Sequence, residues 1–145
     1  MKLITISKQF YMNCAHSLPH LPEGHKCKRF HGHTYGITIF CSGEMEGEWL
    51  IDYADIAAAW SPIFDSLDHR NLNEILPCIT TAENLAIWIA QQLKPTLPML
   101  SEIQIQETET SNVILRIEKQ CAAREHHNDM RLDKLSECPS CGAAL

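Results

Sequence analysis

Residues 16–33 read HSLPHLPEGHKCKRFHGH and hold five of the chain's eight histidines, a cysteine and a short basic cluster. The stretch ends in an H-x-H pair, His31 and His33, which opens an apolar alternating run. In a strand, side chains return to one face every second residue, so His31 and His33 project together. His16 closes an earlier run with strand character, LITISKQFYMNCAH over residues 3–16. Antiparallel pairing of the two runs sets the end of the first beside the start of the second, and three imidazoles converge. Three nitrogens with an open fourth position suit a catalytic zinc, whereas a structural site closes all four. H-x-H alone is a weak signal that loop histidines beside a turn also satisfy, so the strand pairing carries the inference.

Outward from this stretch, Pro19, Pro22 and Gly24 mark residues 17–30 as a loop between the two strands. Residues 32–42, GHTYGITIFCS, are β-branched and aromatic and form the second strand. Gly43 to Gly47 make a turn, and WLID (49–52) is a short strand end or an extended entry to a helix. From Asp55 the period changes: Ile56, Ala59, Trp60, Ile63, Phe64 and Leu67 recur at helical spacing. Pro62 is expected to kink that helix or to end a first segment of it. A polar loop, LDHRNLNEI, follows. Thr80-x-x-Glu83 fits a capping box for a second helix, whose stripe of Leu85, Trp88, Ile89 and Leu93 faces a core. Pro95 and Pro98 end it. Residues 102–109 and 112–118 alternate again and read as a hairpin around Thr110-Ser111. The order β-β-α-α-β-β predicts an α+β domain over residues 1–118, with two helices on one face of an antiparallel sheet. Residues 119–145 read as a separate tail.

Composition narrows the function. A chain of 145 residues with 45% apolar content fits one domain with a real core. A net charge of −6 argues against nucleic acid as a partner. No apolar run is long enough to span a bilayer. MKLITISKQF lacks the features of a signal peptide, and seven cysteines, an odd number, suit a reducing cytoplasm.

Further residues carry possible chemistry. Cys27 lies between Lys26, Lys28 and Arg29, a setting that favours a thiolate able to act as a base. The same three cations suit a small anionic group. Asp68-His69 is an adjacent carboxylate–imidazole pair of the kind that moves protons. Glu107, in QETETS, can accept two hydrogen bonds from an amidine-like N–H pair on a heterocycle. Each of these has a plainer reading: an idle thiol, a capping Asp beside a surface His, a solvated strand glutamate. Asp52 stays ambiguous and Glu83 reads first as a cap.

Taken together, His16, Cys27-Lys28-Arg29-Phe30-His31-Gly32-His33, Trp49-Leu50-Ile51-Asp52-Tyr53, Leu67-Asp68-His69, Thr81-Ala82-Glu83-Asn84 and Glu107-Thr108-x-Thr110 resemble the 6-pyruvoyl-tetrahydropterin synthase family. The C-x3-H-G-H spacing is most similar to its bacterial 6-carboxy-5,6,7,8-tetrahydropterin synthase branch, of queuosine biosynthesis. The resemblance covers about residues 3–118. It implies the tunnelling fold, with three subunits joining their sheets into a barrel and two trimers stacking into a homohexamer. It also implies zinc on His16, His31 and His33, and a catalytic set of Cys27, Asp68 and His69. Glu107 would anchor a pterin ring, with Thr81 assisting, and active sites would lie between subunits. The implied substrate is 7,8-dihydroneopterin triphosphate; Lys26, Lys28 and Arg29 are candidates for its phosphate end on charge alone. A pyruvoyl-type synthase, a side-chain-cleaving paralogue, or a zinc-stabilised binding module without turnover are the alternatives.

The tail is not covered by the resemblance. Cys138-Pro-Ser-Cys141-Gly resembles a zinc knuckle, to which Cys121 and one histidine, His126 or His127, can add the remaining ligands. The plainer reading is a tail whose cysteines stay reduced.

Overall fold

The computed structural model describes residues 2–45 and 47–117. Four strands form one antiparallel sheet in the order β1 (Leu3–His16), β2 (His31–Glu44), β3 (Leu100–Thr108), β4 (Ser111–Arg116). Between β2 and β3 the chain runs through α1 (Tyr53–Leu67) and α2 (Ala82–Leu93). Helix α1 lies against β1, and α2 against β3 and β4. The expected β-β-α-α-β-β order is therefore the observed one.

The β1–β2 register follows from alternation. Phe10 pairs with Ile37, Met12 with Tyr35, Cys14 with His33 and His16 with His31. The even residues of β1 and the odd residues of β2 thus share the helix-facing side of the sheet. A slip of one residue would turn every one of them outward. Met12, Ile37, Ile39, Ile103 and Ile105 are fully buried there, against Ile56, Leu67, Leu85, Ile89 and Leu93 of the helices. Phe10 stacks on Trp60 with centroids 5.5 Å apart. Burying each large aliphatic side chain stabilises the fold by roughly 1.5–3 kcal/mol. The histidines continue this core pattern to its open end.

Residues 49–52 form no strand; Asp52 is extended and caps α1, its carboxylate accepting from the Ala54 N–H at 2.7 Å. Helix α1 does not end at Pro62 but runs through it to Leu67. Pro62 and Ala58, whose carbonyl loses its partner, are both exposed, so water can satisfy that oxygen. The cap of α2 is Thr81 rather than Thr80: the Thr81 hydroxyl accepts from the Asn84 N–H at 3.4 Å. Thr80 is instead buried, and Asn84 rather than Glu83 sits at the third helical position. The β3–β4 turn is Glu109-Thr110, and Ser111 already pairs with Thr108.

Two local features position the site. The β3–β4 register shifts between Gln106 and Thr108, leaving Glu107 as an extra residue opposite no β4 partner. Such a bulge re-aims a side chain. The loop after α1 lies along the outer edge of β1 like a fifth strand. The Asn13 N–H donates to Asp68 at 2.8 Å, the His69 N–H to the Asn13 carbonyl at 2.6 Å, and the Ala15 N–H to the Arg70 carbonyl at 3.0 Å.

Candidate active site

The three predicted histidines meet on the core face of β1 and β2. Their ring centroids lie 4.7 Å (His16–His31), 5.3 Å (His16–His33) and 4.9 Å (His31–His33) apart. One ring nitrogen from each falls within 4.8 Å of the others, an arrangement that can hold a metal ion. The surroundings fit that use. His16 Nδ1 lies 2.7 Å from the Thr80 carbonyl and His31 Nδ1 lies 2.7 Å from the Arg29 carbonyl. A carbonyl only accepts, so each Nδ1 carries the proton and each Nε2 lone pair is left for an ion. Burial holds His16 and His33 below the ordinary histidine range, outweighing the Thr80 carbonyl at His16 and the Glu107 carboxylate at both, which favours the neutral rings that ligation requires. Gly32 suits the tight spot between the two ligands, because a Cβ there would sit 3.2 Å from the Cys14 carbonyl oxygen.

Glu107 and Tyr35 complete the triad's surroundings. Glu107 Oε1 is 3.7 Å from both His16 Nε2 and His33 Nε2. Tyr35 follows His33 by two residues on the same face, is buried, and places its hydroxyl 3.4 Å from His16 Nε2. Burial, then the Glu107 charge, pushes the Tyr35 phenol far above its usual range, so it remains a proton donor. Sequence reading passed over Tyr35, although the alternation that joined His31 to His33 extends to it.

A cavity of about 500 Å³ opens over the triad, lined by His16, His31, His33, Cys27, Glu107 and the Lys26–Arg29 pair. Cys27 sits in a short 3₁₀ turn (Lys26–Lys28) capped by His25. Its carbonyl accepts from the Leu18 N–H at 2.8 Å, which ties the loop to the end of β1. Lys28 turns to an ion pair with Glu23 and is not among the lining residues. Thr81 and Glu83 line an adjoining cavity of about 300 Å³, which Glu107 also borders.

Asp68 and His69 stand apart. Asp68 Oδ2 is 2.6 Å from His69 Nδ1. His69 has φ +57°, a left-handed conformation unusual outside glycine, at the residue that follows the α1 C-cap. The Asn13 N–H and then His69 hold the Asp68 carboxyl below its usual range. The His69 side chain is 76% exposed and lines a third cavity of about 550 Å³. That cavity shares Phe30 and His33 with the triad cavity but excludes Cys27. Within one chain, Cys27 and His69 therefore line different, neighbouring cavities. The second metal set expected in the tail, Cys121, His126, Cys138 and Cys141, lies outside the described residues.

The meander of four strands, two helices on one face and a histidine triad at the β1–β2 end are those of the tunnelling fold. More narrowly, the chain belongs to the 6-pyruvoyl tetrahydropterin synthase family of pterin-processing enzymes, whose model matches residues 5–118. It is 30% identical to the 6-carboxy-5,6,7,8-tetrahydropterin synthase of Haemophilus influenzae over 139 residues, covering 75% of this chain and 96% of that one. It is 34% identical to the dihydroneopterin monophosphate aldolase of Pyrococcus furiosus over 71 residues, 49% of this chain and 61% of the relative's length. The fold superposes on the 6-pyruvoyl tetrahydropterin synthase of Caenorhabditis elegans with a TM-score of 0.74 and 26% identity, covering 81% and 98% of the two chains. Among the described residues no helix is long and apolar enough to cross a membrane.

Proposed function

We propose that this protein is a zinc-dependent lyase that converts 7,8-dihydroneopterin triphosphate and one water to 6-carboxy-5,6,7,8-tetrahydropterin, triphosphate and acetaldehyde. The observation that supports it is the single cavity in which the histidine triad, Cys27, Glu107, Lys26 and Arg29 converge. The alignment with the Haemophilus influenzae synthase along nearly its whole length favours this product, and with it a cytoplasmic role in queuosine synthesis.

The roles follow from position. A zinc on His16, His31 and His33 would act as a Lewis acid on the substrate's side-chain oxygens. Glu107, aimed inward by its bulge, accepts the N–H pair of the pterin ring, with Thr81 in the adjoining cavity. Cys27 moves the proton on the side-chain carbon, and the Asp68–His69 pair handles the hydroxyl proton. Lys26 and Arg29 take the phosphate end, whereas Lys28 is spoken for by Glu23. That His69 lines a different cavity from Cys27 supports a complete site formed between subunits of a homohexamer. The edge of β1 is covered by the 68–70 loop only near Asn13 and Ala15, leaving its earlier part to pair with a neighbour's short β4.

The Pyrococcus furiosus aldolase match supports a second reading, cleavage of a phosphorylated dihydroneopterin side chain without the carboxylated product. Incubation with dihydroneopterin triphosphate and, separately, the monophosphate, followed by mass analysis, decides. Acetaldehyde with a carboxylated tetrahydropterin is expected; glycolaldehyde-type cleavage of either substrate would replace the first reading with the second.

A further inference from the structure

We infer that Asn73 is a positioning residue for the metal centre, gripping both supports that orient His16. The inference rests on the metal-dependent reading above. Asn73 Oδ1 accepts from the Ser17 N–H at 2.7 Å, and its Nδ2 donates to the Ser17 carbonyl at 2.9 Å. The same Nδ2 donates to the Thr80 hydroxyl at 3.2 Å, which lies 3.4 Å from the Ser17 carbonyl and closes a ring of hydrogen bonds. Ser17 is the residue after His16, and Thr80 supplies the carbonyl on His16 Nδ1. One amide thus fixes both the backbone that carries the ring and the carbonyl that sets its tautomer.

The chemistry suits an amide here. The Ser17 N–H needs an acceptor and the Ser17 carbonyl needs a donor, and the Asn73 amide offers both side by side from one planar group, which a carboxylate cannot. Flipping the amide would set its NH₂ against the Ser17 N–H, so the network itself assigns the orientation. His16 itself is 1% exposed while Asn73 lies at the surface, so the amide acts on the buried ring through Ser17 and Thr80 and not by touching it. Asn73 is held in turn: its own N–H donates to Asn71 Oδ1 at 3.1 Å, and the neighbouring Leu72 is fully buried. Asn73 lines none of the three cavities, so it acts through His16 rather than on substrate. It also closes the loop that begins at Asp68–His69, joining the two halves of the site through the end of β1.

The test uses the full chain with Asn73→Ala, which removes the grip, and Asn73→Asp, which keeps the acceptor and loses the donor. Zinc affinity of metal-stripped protein is measured by competition with a chromophoric chelator. The His16 tautomer is read from imidazole nitrogen shifts in the metal-free protein. Both variants are expected to fold by circular dichroism, to bind zinc roughly 10–100-fold more weakly, and to lose the single Nδ1–H tautomer of His16. If Asn73→Ala does not fold, Asn73→Asp decides alone. Variants that melt earlier yet keep wild-type zinc affinity and the wild-type His16 spectrum would overturn the inference and leave Asn73 a purely structural residue. A wild-type chain that takes up no zinc, with the tautomer still lost in the variants, would instead remove the metal reading and leave the positioning of His16 in place.

Discussion

The histidine triad and the Asp68–His69 pair are built in opposite ways. The triad lies on two long paired strands at the rim of the core, and its most buried ring, His16, is 1% exposed. Two of its rings are braced from behind by carbonyls, so the metal-facing nitrogens are set before any ligand arrives. The pair sits where a helix ends, on a residue in a left-handed conformation, with the imidazole 76% exposed. Exposure here is not looseness, because the Asp68 carboxylate and the backbone of His69 and Arg70 are hydrogen-bonded to β1. The contrast shows a chain that gathers a histidine group able to hold a metal internally and holds a carboxylate–imidazole pair rigidly outward. A rigid outward group is placed to act on whatever docks against it, which fits the proposal of a site shared between subunits.

The largest break in that comparison comes from the triad. His16→Ala should abolish stoichiometric zinc and all turnover, measured by metal analysis and product assay, since two nitrogens cannot replace a three-nitrogen site. His16→Ala protein that keeps one zinc per chain would show that the ion sits elsewhere. Cys27→Ala should keep its zinc and lose roughly two to four decades of turnover, the scale for a positioned acid/base group. Near-normal turnover in Cys27→Ala would remove the thiol from the chemistry. A third experiment sharpens the division between regions. Inactive Cys27→Ala chains mixed and reassembled with inactive His69→Ala chains should regain part of the wild-type rate, because some sites then draw an intact Cys27 and an intact His69 from different chains. No recovery after demonstrated exchange would place both residues in one chain's site.

Much of this was open to reading in the sequence because it is local. Alternation fixed which face His31 and His33 share, and the end-to-end pairing of residues 3–16 with the H-G-H strand brought in His16. Helical spacing located both helices, and Pro62 does not end the first of them, because it lies on an exposed face where water can take the orphaned carbonyl. Thr80 and Thr81 were not separable by pattern: either can cap, and only the burial of Thr80 against His16 decides between them. The bulge that aims Glu107 depends on how β4 pairs, and the β1–loop ladder joins residues 55 positions apart. Nothing in the local pattern of residues encodes such contacts. The same holds for Asn73, whose role appears only once Ser17 and Thr80 are brought to it.

The smallest expected effect tests how firmly the outward pair is held. The Asp68 carboxylate accepts from the Asn13 N–H at 2.8 Å and from His69, and these contacts lower its pKa despite some burial. The buried Cys14 thiol, pushed up to about 12 by burial and then by Asp68, stays protonated and adds no opposing charge. A carboxyl whose pKa is lower folded than unfolded stabilises the fold fully above its unfolded value, about 3.9, and loses that contribution as pH falls through the folded value. Asp68→Asn keeps an oxygen for the Asn13 N–H but cannot ionise. Its unfolding midpoint should therefore lie below wild type at neutral pH, with the gap closing as the pH is taken from about 5 to below the unfolded carboxyl value of about 3.9. Urea titrations across that range measure it. A gap that stays constant with pH would mean that Asp68 titrates alike in the folded and unfolded chains, and that the loop is held by its backbone hydrogen bonds alone.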